Sequence, residues 1–533
     1  METLVKTFLT LILLSSIFSI ASSRRGPASS SNIDWWCNLT PHPVPCKHYI
    51  TTHMKSHHFP IKHKTNFRGM LLQVSLNQSI TMQKEARESY QNNHMATKNH
   101  RTVHGDCLKL YEKTIFHLNR TLECLHHVKQ NCSPDDAQTW LSTALTNIQT
   151  CQTGTDELGV RDFKAPSVTN NVTEMIRNCL AINMDFMKRH HTEEKTEEEF
   201  PGWFSTRERK LLQSSSIKAH AVVAKDGSGD FRTVQEALDA AAKRKVKGRF
   251  VIHVKKGVYR ENIEVAVHND NIMLVGDGLR NTIITSGRSV QDGYTTYSSA
   301  TAGIDGLHFI ARDITFQNTA GPHKGQAVAL RSASDLSVFY RCAIIGHQDT
   351  LMAHAQRQFY RQCFIYGTVD FIFGNAAVVF QNCYIFARRP LEGQANMITA
   401  QGRGDPFQNT GISIHNSQIR AAPDLRPVAD KYNTFLGRPW QQYSRVVVMK
   451  TFMDTLVNPL GWSPWDDSDF AQDTLYFGEY QNYGPGASTT NRVTWPGFHV
   501  IKSPSEASQF TVSRLLAGPT WLGSTTVPFT SGL

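Results

Sequence analysis

The first third of the chain has the spacing of apolar residues that predicts amphipathic helices. Apolar side chains recur every three or four residues over 108–125, which puts them on one helix face. They are Leu108, Tyr111, Ile115, Leu118, Leu122 and Leu125. The spacing recurs in two further sets, which are Leu141, Ala144, Leu145 and Ile148, then Val172, Ile176 and Cys179. Several such helices joined by short loops indicate a helical bundle over residues 30–190.

A charged segment without apolar periodicity follows the bundle. Residues 191–212 are rich in Glu and Lys and end in Arg207-Glu-Arg-Lys-Leu-Leu212, which predicts an exposed linker. The basic tract also has the composition that proteases of the secretory pathway cleave. The alternative is a solvated linker that is never cut.

After residue 220 the pattern changes to short β-rich runs separated by Gly, Asn and Asp. Examples lie at 250–254, 272–275 and 446–449, and one helix is predicted at Val234–Ala242. Because strands and helices do not alternate further along, a doubly wound fold is excluded.

An internal repeat predicts how these strands are arranged. Phe339-Tyr-Arg-Cys342 recurs as Phe359-Tyr-Arg-Gln-Cys363 and as Phe380-Gln-Asn-Cys383, so the cysteines are spaced by 21 and 20 residues. A period near 20 without an internal helix is typical of the coils of a parallel β-helix. The Leu/Asn signature of a leucine-rich repeat is missing.

The repeat brings two carboxylates to equivalent positions. Asp349 follows Cys342 by seven residues, and Asp370 follows Cys363 by seven. Stacked strands lie about 4.7–4.9 Å apart, so the two side chains should almost touch. Repulsion between them raises the pKa of one, which gives an ionised nucleophile beside a protonated acid. The alternative is a pair of turn aspartates that face solvent.

Length and charge limit the class of protein. At roughly 100–200 residues per domain, 533 residues predict several domains. The formal charge is +11, which favours an acidic partner. Residues 213–533 carry 31 basic and 25 acidic side chains, a net charge of +6, without a basic stripe among aromatics. Nucleic acid is therefore not expected as a partner.

The N-terminus predicts secretion. Lys6, the apolar run 8–20 and Ala21-Ser22-Ser23 indicate a signal peptide over residues 1–23, and a signal anchor is the alternative. No later run is long enough for a membrane span. Sequons for N-glycosylation, all before residue 212, are Asn38, Asn77, Asn119, Asn131 and Asn171.

Ten cysteines in a secreted chain predict disulfides. Seven lie in the N-terminal half and three in the C-terminal half, so each half should keep a free thiol. There is no Cys-x-x-Cys pair and the histidines are scattered, so neither a metal site nor a cofactor is expected.

Five segments in the second half carry a family resemblance. They are Gly257-Val-Tyr-Arg-Glu261, Gln326-Ala-Val-Ala-Leu330, Gln348-Asp-Thr-Leu351, Asp370-Phe-Ile-Phe-Gly374 and Leu436-Gly-Arg-Pro-Trp440. In order and spacing they resemble the signature segments of plant pectin methylesterases. Residues 30–190 resemble the inhibitor-like pro-region of that family, a four-helix bundle, and 207–212 its processing site.

The resemblance implies a right-handed parallel β-helix over 213–533 that hydrolyses methyl esters of homogalacturonan in the cell wall. It implies Asp370 as the nucleophile and Asp349 as the general acid and base. Gln326 and Gln348 would donate hydrogen bonds to the oxyanion. Implied partners are the polymer, a proteinaceous inhibitor and a subtilisin-like processing protease.

Further contacts follow from the same resemblance. Arg438 would hold Asp370 ionised, Trp440 would offer its ring to a sugar, and Thr296 would contact the substrate. Structural alternatives are a polar ladder for Gln326, an ion pair alone for Arg438 and a core position for Trp440. The segment 257–261 is expected to be a strand end and turn without a chemical role.

The resemblance also implies disulfide pairs. It pairs Cys37 with Cys46 and Cys107 with Cys151, and leaves Cys124, Cys132 and Cys179 without a partner. In the second half, coil geometry allows both Cys342–Cys363 and Cys363–Cys383. The resemblance favours Cys363–Cys383.

Three other functions are alternatives to ester hydrolysis. An inverting glycoside hydrolase needs two carboxylates about 6.5–9.5 Å apart, but its positive transition state gains nothing from amide donors. A lyase would need clustered acids for calcium, which are missing beside the pair. A wall-binding protein or inhibitor without activity is the third alternative.

Overall fold

The computed structural model describes residues 33–56, 61–92, 97–126, 132–160, 166–193, 218–245, 248–466 and 468–533. The predicted signal peptide, the basic tract at 207–212 and Asn131 lie outside the described residues.

The N-terminal part is helical, as predicted. Its helices are α1 (Ile33–Cys37), α2 (Pro43–Ser56), α3 (Lys64–Asn92), α4 (Lys98–His126), α5 (Pro134–Glu157) and α6 (Thr169–Glu193). Helices α3 to α6 pack side by side around one apolar core. Tyr111, Leu145 and Ile176 from the predicted apolar faces are buried in it.

Helix α5 begins at a capping box. The backbone N–H of Asp136 donates to Ser133 Oγ (3.2 Å), and the N–H of Ser133 donates back to the Asp136 carboxylate (2.8 Å). These bonds satisfy N–H groups that have no partner within the helix. Pro134 at the first turn lacks an N–H to satisfy.

The second part is a parallel β-helix with three sheets, all of whose strand pairings are parallel. The first sheet contains Ala221–Val223, Phe250–Val254, Ile272–Gly276, Ile310–Arg312, Ser337–Tyr340, Arg357–Arg361, Ala377–Gln381, Gly411–His415, Arg445–Met449, Tyr476–Tyr480 and Phe498–Val500. The second contains Ile263–Val265, Ala302–Ile304, Leu330–Ser332, Leu351–Ala353, Ile372–Gly374, Asn396–Gln401 and Thr434–Pro439. The third contains Gly257–Arg260, Thr282–Ser286, Thr315–Asn318, Ala343–Ile345, Phe364–Gly367, Tyr384–Ala387, Gln418–Ala421 and Phe452–Met453.

Short helices decorate the β-helix. They are α7 (Val234–Ala242), α8 (Pro504–Ser508), α9 (Val512–Leu515) and the 3₁₀ turns Val290–Asp292, Pro322–Lys324, Arg426–Lys431, Gly518–Thr520 and Leu522–Thr525. Helix α7 has the predicted bounds. The carboxylate of Glu261 accepts the N–H groups of Val234 (2.9 Å) and Gln235 (3.0 Å) at its N-terminus. An anion is favourable there. The rest of the segment, Gly257–Arg260, is a strand, and this contact of Glu261 with α7 was not predicted.

The coils stack in register, with one correction to the repeat. Phe339 pairs with Tyr360 and Tyr360 with Phe380, and their rings stack at 4.6 and 4.7 Å. Such ring pairs contribute about 0.5–1.5 kcal/mol beyond their buried area. The alignment of Phe359 with Phe339 was therefore wrong by one residue. Because side chains alternate along a strand, Phe359 lies on the outer face, under the C-terminal helices.

The disulfides lie in the bundle. Cys37–Cys46 and Cys107–Cys151 form as the resemblance implied, and Cys124–Cys132 is a third pair that the sequence did not predict.

The expected Cys363–Cys383 bond is not formed. Both residues are buried free thiols, as are Cys342 and Cys179. In-register stacking points each thiol at a carbonyl of the neighbouring coil, Cys363 at Phe339 (3.2 Å) and Cys383 at Tyr360 (3.5 Å). Burial raises the pKa of the Cys363 thiol well above its usual range, which makes it unreactive.

The bundle packs against the β-helix through α4 and α5. Lys113 Nζ lies 2.5 Å from an Asp305 carboxylate oxygen, and Trp140 Nε1 donates to Asp335 at 3.2 Å. Thr146 Oγ1 accepts from Asn375 at 2.9 Å. Helix α5 is therefore buried on two sides, against the other helices and against the β-helix.

Differential alkylation tests the thiol assignment. In the folded full-length chain without reductant, iodoacetamide should not modify Cys179, Cys342, Cys363 and Cys383, because they are buried, and denaturation should expose all four. The six disulfide-bonded cysteines should react only after reduction and provide the internal control. A linked Cys363–Cys383 peptide in the mass spectrum would contradict the assignment.

Candidate active site

The predicted site residues meet in one cavity between the two halves. Its volume is about 250 Å³. The β-helix contributes Thr295, Thr296, Tyr297, Gln326, Gln348, Asp349, Met352, Asp370, Phe373, Ala400, Arg438, Trp440 and Trp465. The last turns of α5 contribute Thr150, Thr153, Gly154 and Glu157. The cavity is thus roofed by the bundle.

Asp349 and Asp370 occupy equivalent positions in adjacent coils, as the repeat predicted. Leu351 pairs with Ile372, so the two aspartates, each two residues earlier, are in register. Both have left-handed backbone conformations, with φ of 60° and 51°. Their exposed fractions are 8% and 6%, so they do not face solvent, and the alternative of two surface turn residues is excluded.

Arg438 pairs with one member of this pair. Its Nε donates to Asp370 Oδ1 at 2.8 Å and its Nη2 to Oδ2 at 2.5 Å, a bidentate arrangement. Bidentate charge-assisted bonds are stronger than neutral ones and fix the plane of the carboxylate. Asp349 has no such bond to Arg438.

The environment separates the acidities of the two carboxyls. Burial raises the pKa of Asp349 well above its usual range, and the charges of Asp370 and Glu157 raise it further. Burial also raises the pKa of Asp370, but the hydrogen bonds from Arg438 act in the opposite direction. These opposing influences make Asp370 the more acidic carboxyl of the pair.

The remaining predicted residues surround the pair. Gln326 and Gln348 line the cavity beside it. Trp440 is half-buried, and its ring makes an edge contact with Phe373 at 5.9 Å. This ring is accommodated because Gly402 lies beneath it, where a Cβ would come within 2.7 Å of the indole.

Among the cavity residues that were not predicted, Trp465 and Glu157 contact predicted ones. Trp465 places its ring 4.3 Å from the Arg438 guanidinium, and its carbonyl accepts from Arg438 Nη1 at 3.4 Å. Glu157 of the bundle accepts the backbone N–H of Thr296 at 2.8 Å. Neither belongs to a motif or a periodic pattern, so no signal in the sequence identifies it.

The described part of the chain contains no cluster of three or more His, Cys, Asp or Glu side chains that could hold a metal ion. Within the same residues, no helix is long and apolar enough to cross a membrane.

Known proteins share both halves of the chain. Residues 220–519 match the Pectinesterase family, and residues 31–182 match the plant invertase/pectin methylesterase inhibitor family. A probable pectinesterase/pectinesterase inhibitor of Arabidopsis thaliana is 55% identical over 98% of this chain and 97% of its own length. A pectinesterase of Citrus sinensis is 51% identical over 97% and 98%.

The solved structures give the same result for the second half. A pectin methylesterase from carrot is 58% identical, with a TM-score of 0.59, and covers 60% of this chain and 100% of its own. The chain therefore belongs to the pectinesterase family of carboxylic ester hydrolases, with an inhibitor-family domain at its N-terminus.

Proposed function

We propose that residues 213–533 hydrolyse the methyl esters of homogalacturonan by covalent catalysis at Asp370. The observation that carries this proposal is the in-register carboxylate pair, of which only Asp370 is bonded to Arg438. This arrangement supplies an ionised nucleophile and a protonated acid side by side in the cavity.

Acylation uses the two carboxyls in different roles. An Asp370 oxygen attacks the ester carbonyl, and the amides of Gln326 and Gln348 stabilise the oxyanion that forms. Collapse of this intermediate breaks the bond to methoxide. Asp349 donates its proton to the leaving oxygen, and methanol departs.

Deacylation reverses the proton transfer. Asp349, now ionised, takes a proton from water as the water attacks the acyl-enzyme. The bond to Asp370 breaks, which returns Asp370 to its ionised state next to Arg438 and leaves a galacturonic acid group that loses its proton to solvent. The adjacent apolar surface of Trp440 is suited to a sugar ring.

The bundle is an inhibitory pro-region of this enzyme. Helix α5 roofs the cavity, and a polysaccharide needs an open groove to reach Asp370. A tethered domain has a high effective concentration, so modest contacts suffice to keep it in place. Removal of residues 1–23 on secretion and cleavage at 207–212 by a subtilisin-like protease would deliver the mature enzyme to the cell wall.

Substitution of the pair tests the two roles. Asp370→Asn should lower methanol release from pectin at least about 10³-fold, because an amide does not replace the nucleophile. Asp349→Asn should be comparably slow in turnover of methyl esters, but on a trifluoroethyl ester, whose leaving group needs less protonation, it should regain a single-turnover burst of alcohol release, because only deacylation still needs the Asp349 base. Asp424→Asn, on the surface, is the control. Rescue of Asp370→Asn by the better leaving group would contradict the assignment.

Loss of Arg438 should shift the acidic limb of the pH profile. Activity falls as pH drops through the pKa of Asp370, because the nucleophile becomes protonated. Arg438→Gln removes the bonds that lower this pKa, so the acidic limb of kcat/KM should move to higher pH. Arg420→Gln, which removes an arginine from the outer surface, should leave the limb in place. An unshifted limb in Arg438→Gln would show that Asp370 is not the group that titrates.

A precursor that cannot be cleaved tests the pro-region. Replacement of Arg207, Arg209 and Lys210 with Ala should give a longer chain that releases methanol at least about tenfold more slowly than the processed enzyme, since α5 stays over the cavity. Limited proteolysis within 191–212 should restore the rate. Full activity of the intact chain would exclude inhibition in cis.

A further inference from the structure

The end of helix α5 brings a carboxyl group into a cavity that already holds two. Glu157 lines the same cavity as Asp349 and Asp370, and its Oε2 accepts the backbone N–H of Thr296 at 2.8 Å. Its charge is one of the influences that raise the pKa of Asp349. Burial raises the pKa of Glu157 itself.

Close approach of the helix is what allows this contact. Gly154, one turn before Glu157, faces Thr295, where a Cβ would lie 3.0 Å from the Thr295 methyl group. Thr295 also donates its hydroxyl hydrogen to Asp106 of α4 at 2.6 Å. Two bundle carboxyls thus converge on the Thr295–Thr296 corner.

A third carboxyl beside the aspartate pair is unfavourable as a simple packing contact. Burial and the like charges of Asp106 and Asp156 both oppose its ionisation, and the backbone N–H of Thr296 is its hydrogen-bond donor. A homogalacturonan chain, however, carries a carboxyl group, free or esterified, on every sugar. The groove must therefore already accommodate such groups close to Asp349.

We propose that Glu157 occupies, in the uncleaved chain, the position of a galacturonate carboxyl group, with the Thr296 N–H as its hydrogen-bond donor. The bundle then inhibits by imitating the substrate at this corner, and not only by covering it. This inference rests on the proposed function, since it takes the cavity as the homogalacturonan groove.

The imitation predicts direct competition. A free galacturonate carboxyl and the Glu157 carboxyl cannot accept from the same Thr296 N–H with the same geometry. Removal of the Glu157 side chain should therefore make the corner available even while the bundle remains attached. Asp156 is its matched control, because it lies in the same turn of α5 but is exposed.

Binding of trigalacturonate to the cleavage-resistant full-length chain tests the proposal by calorimetry. The Glu157→Ala chain should bind at least about tenfold more tightly than its parent, the effect of removing a competing charge-assisted bond. Asp156→Ala should bind like the parent. Neutral galactotriose should show no difference among the three chains.

Several outcomes would overturn the inference. Equal affinity of parent and Glu157→Ala would show that Glu157 does not compete. An equal gain in Asp156→Ala, or with galactotriose, would show general loosening of α5. If Glu157→Ala does not fold by near-ultraviolet circular dichroism, Glu157→Asp should still bind more tightly than the parent, because its shorter side chain withdraws from Thr296.

Methanol release after proteolytic removal of the bundle separates this inference from the proposed function. All variants should then have the same esterase rate, since residue 157 is gone. Absence of esterase activity in every processed chain would refute the proposed function, whereas equal affinities with normal activity would refute only the role of Glu157.

Discussion

In-register stacking of the coils is the constraint on which the rest of this structure depends. Parallel backbone pairing repeats each side-chain position at the spacing of neighbouring strands, about 4.7–4.9 Å. For apolar residues the repetition is stabilising, as in the stacked rings of Phe339, Tyr360 and Phe380. For Asp349 and Asp370 the same geometry forces two carboxyls together in a buried place. The fold therefore holds two mutually repelling carboxyls side by side in the cavity.

Arg438 stabilises the negative charge of only one of these two carboxyls, that of Asp370. It comes from a later coil and forms both of its carboxylate bonds with Asp370, while Trp465 covers its other side at 4.3 Å. The asymmetric pairing makes the two carboxyls unequal in acidity, and the proposed mechanism, in which attack is followed by protonation, depends on this inequality.

The sequence predicted the features that local periodicity controls, and it missed those that depend on tertiary contacts. The apolar helix faces predict the bundle. The cysteine period predicts the β-helix and the register of Asp349 with Asp370. The repeat of aromatic residues predicted the wrong alignment, because Tyr360 faces the core and the adjacent Phe359 does not. Nothing in the local sequence shows which of two adjacent aromatic residues is buried. The prediction of a Cys363–Cys383 disulfide was wrong because, in the stacked coils, each thiol donates a hydrogen bond to a backbone carbonyl instead. Trp465 and Glu157 reach the cavity from distant segments, so spacing could not reveal them.

Two buried aspartates at the interface between the halves, Asp305 and Asp335, have ion-pair partners within the β-helix as well as contacts with the bundle. Asp305 accepts from Arg331 of its own domain at 2.9 Å as well as from Lys113 of the bundle. Asp335 likewise keeps Arg357 at 2.8 Å when Trp140 departs. An uncompensated buried charge is costly, and these internal partners avoid that cost for the separated enzyme. The situation differs at Thr296, whose backbone N–H donates to Glu157 of the bundle. In the proposed mechanism, removal of the bundle would free this donor beside Asp349 and Asp370, where a polymer of uronic acids could accept its hydrogen bond.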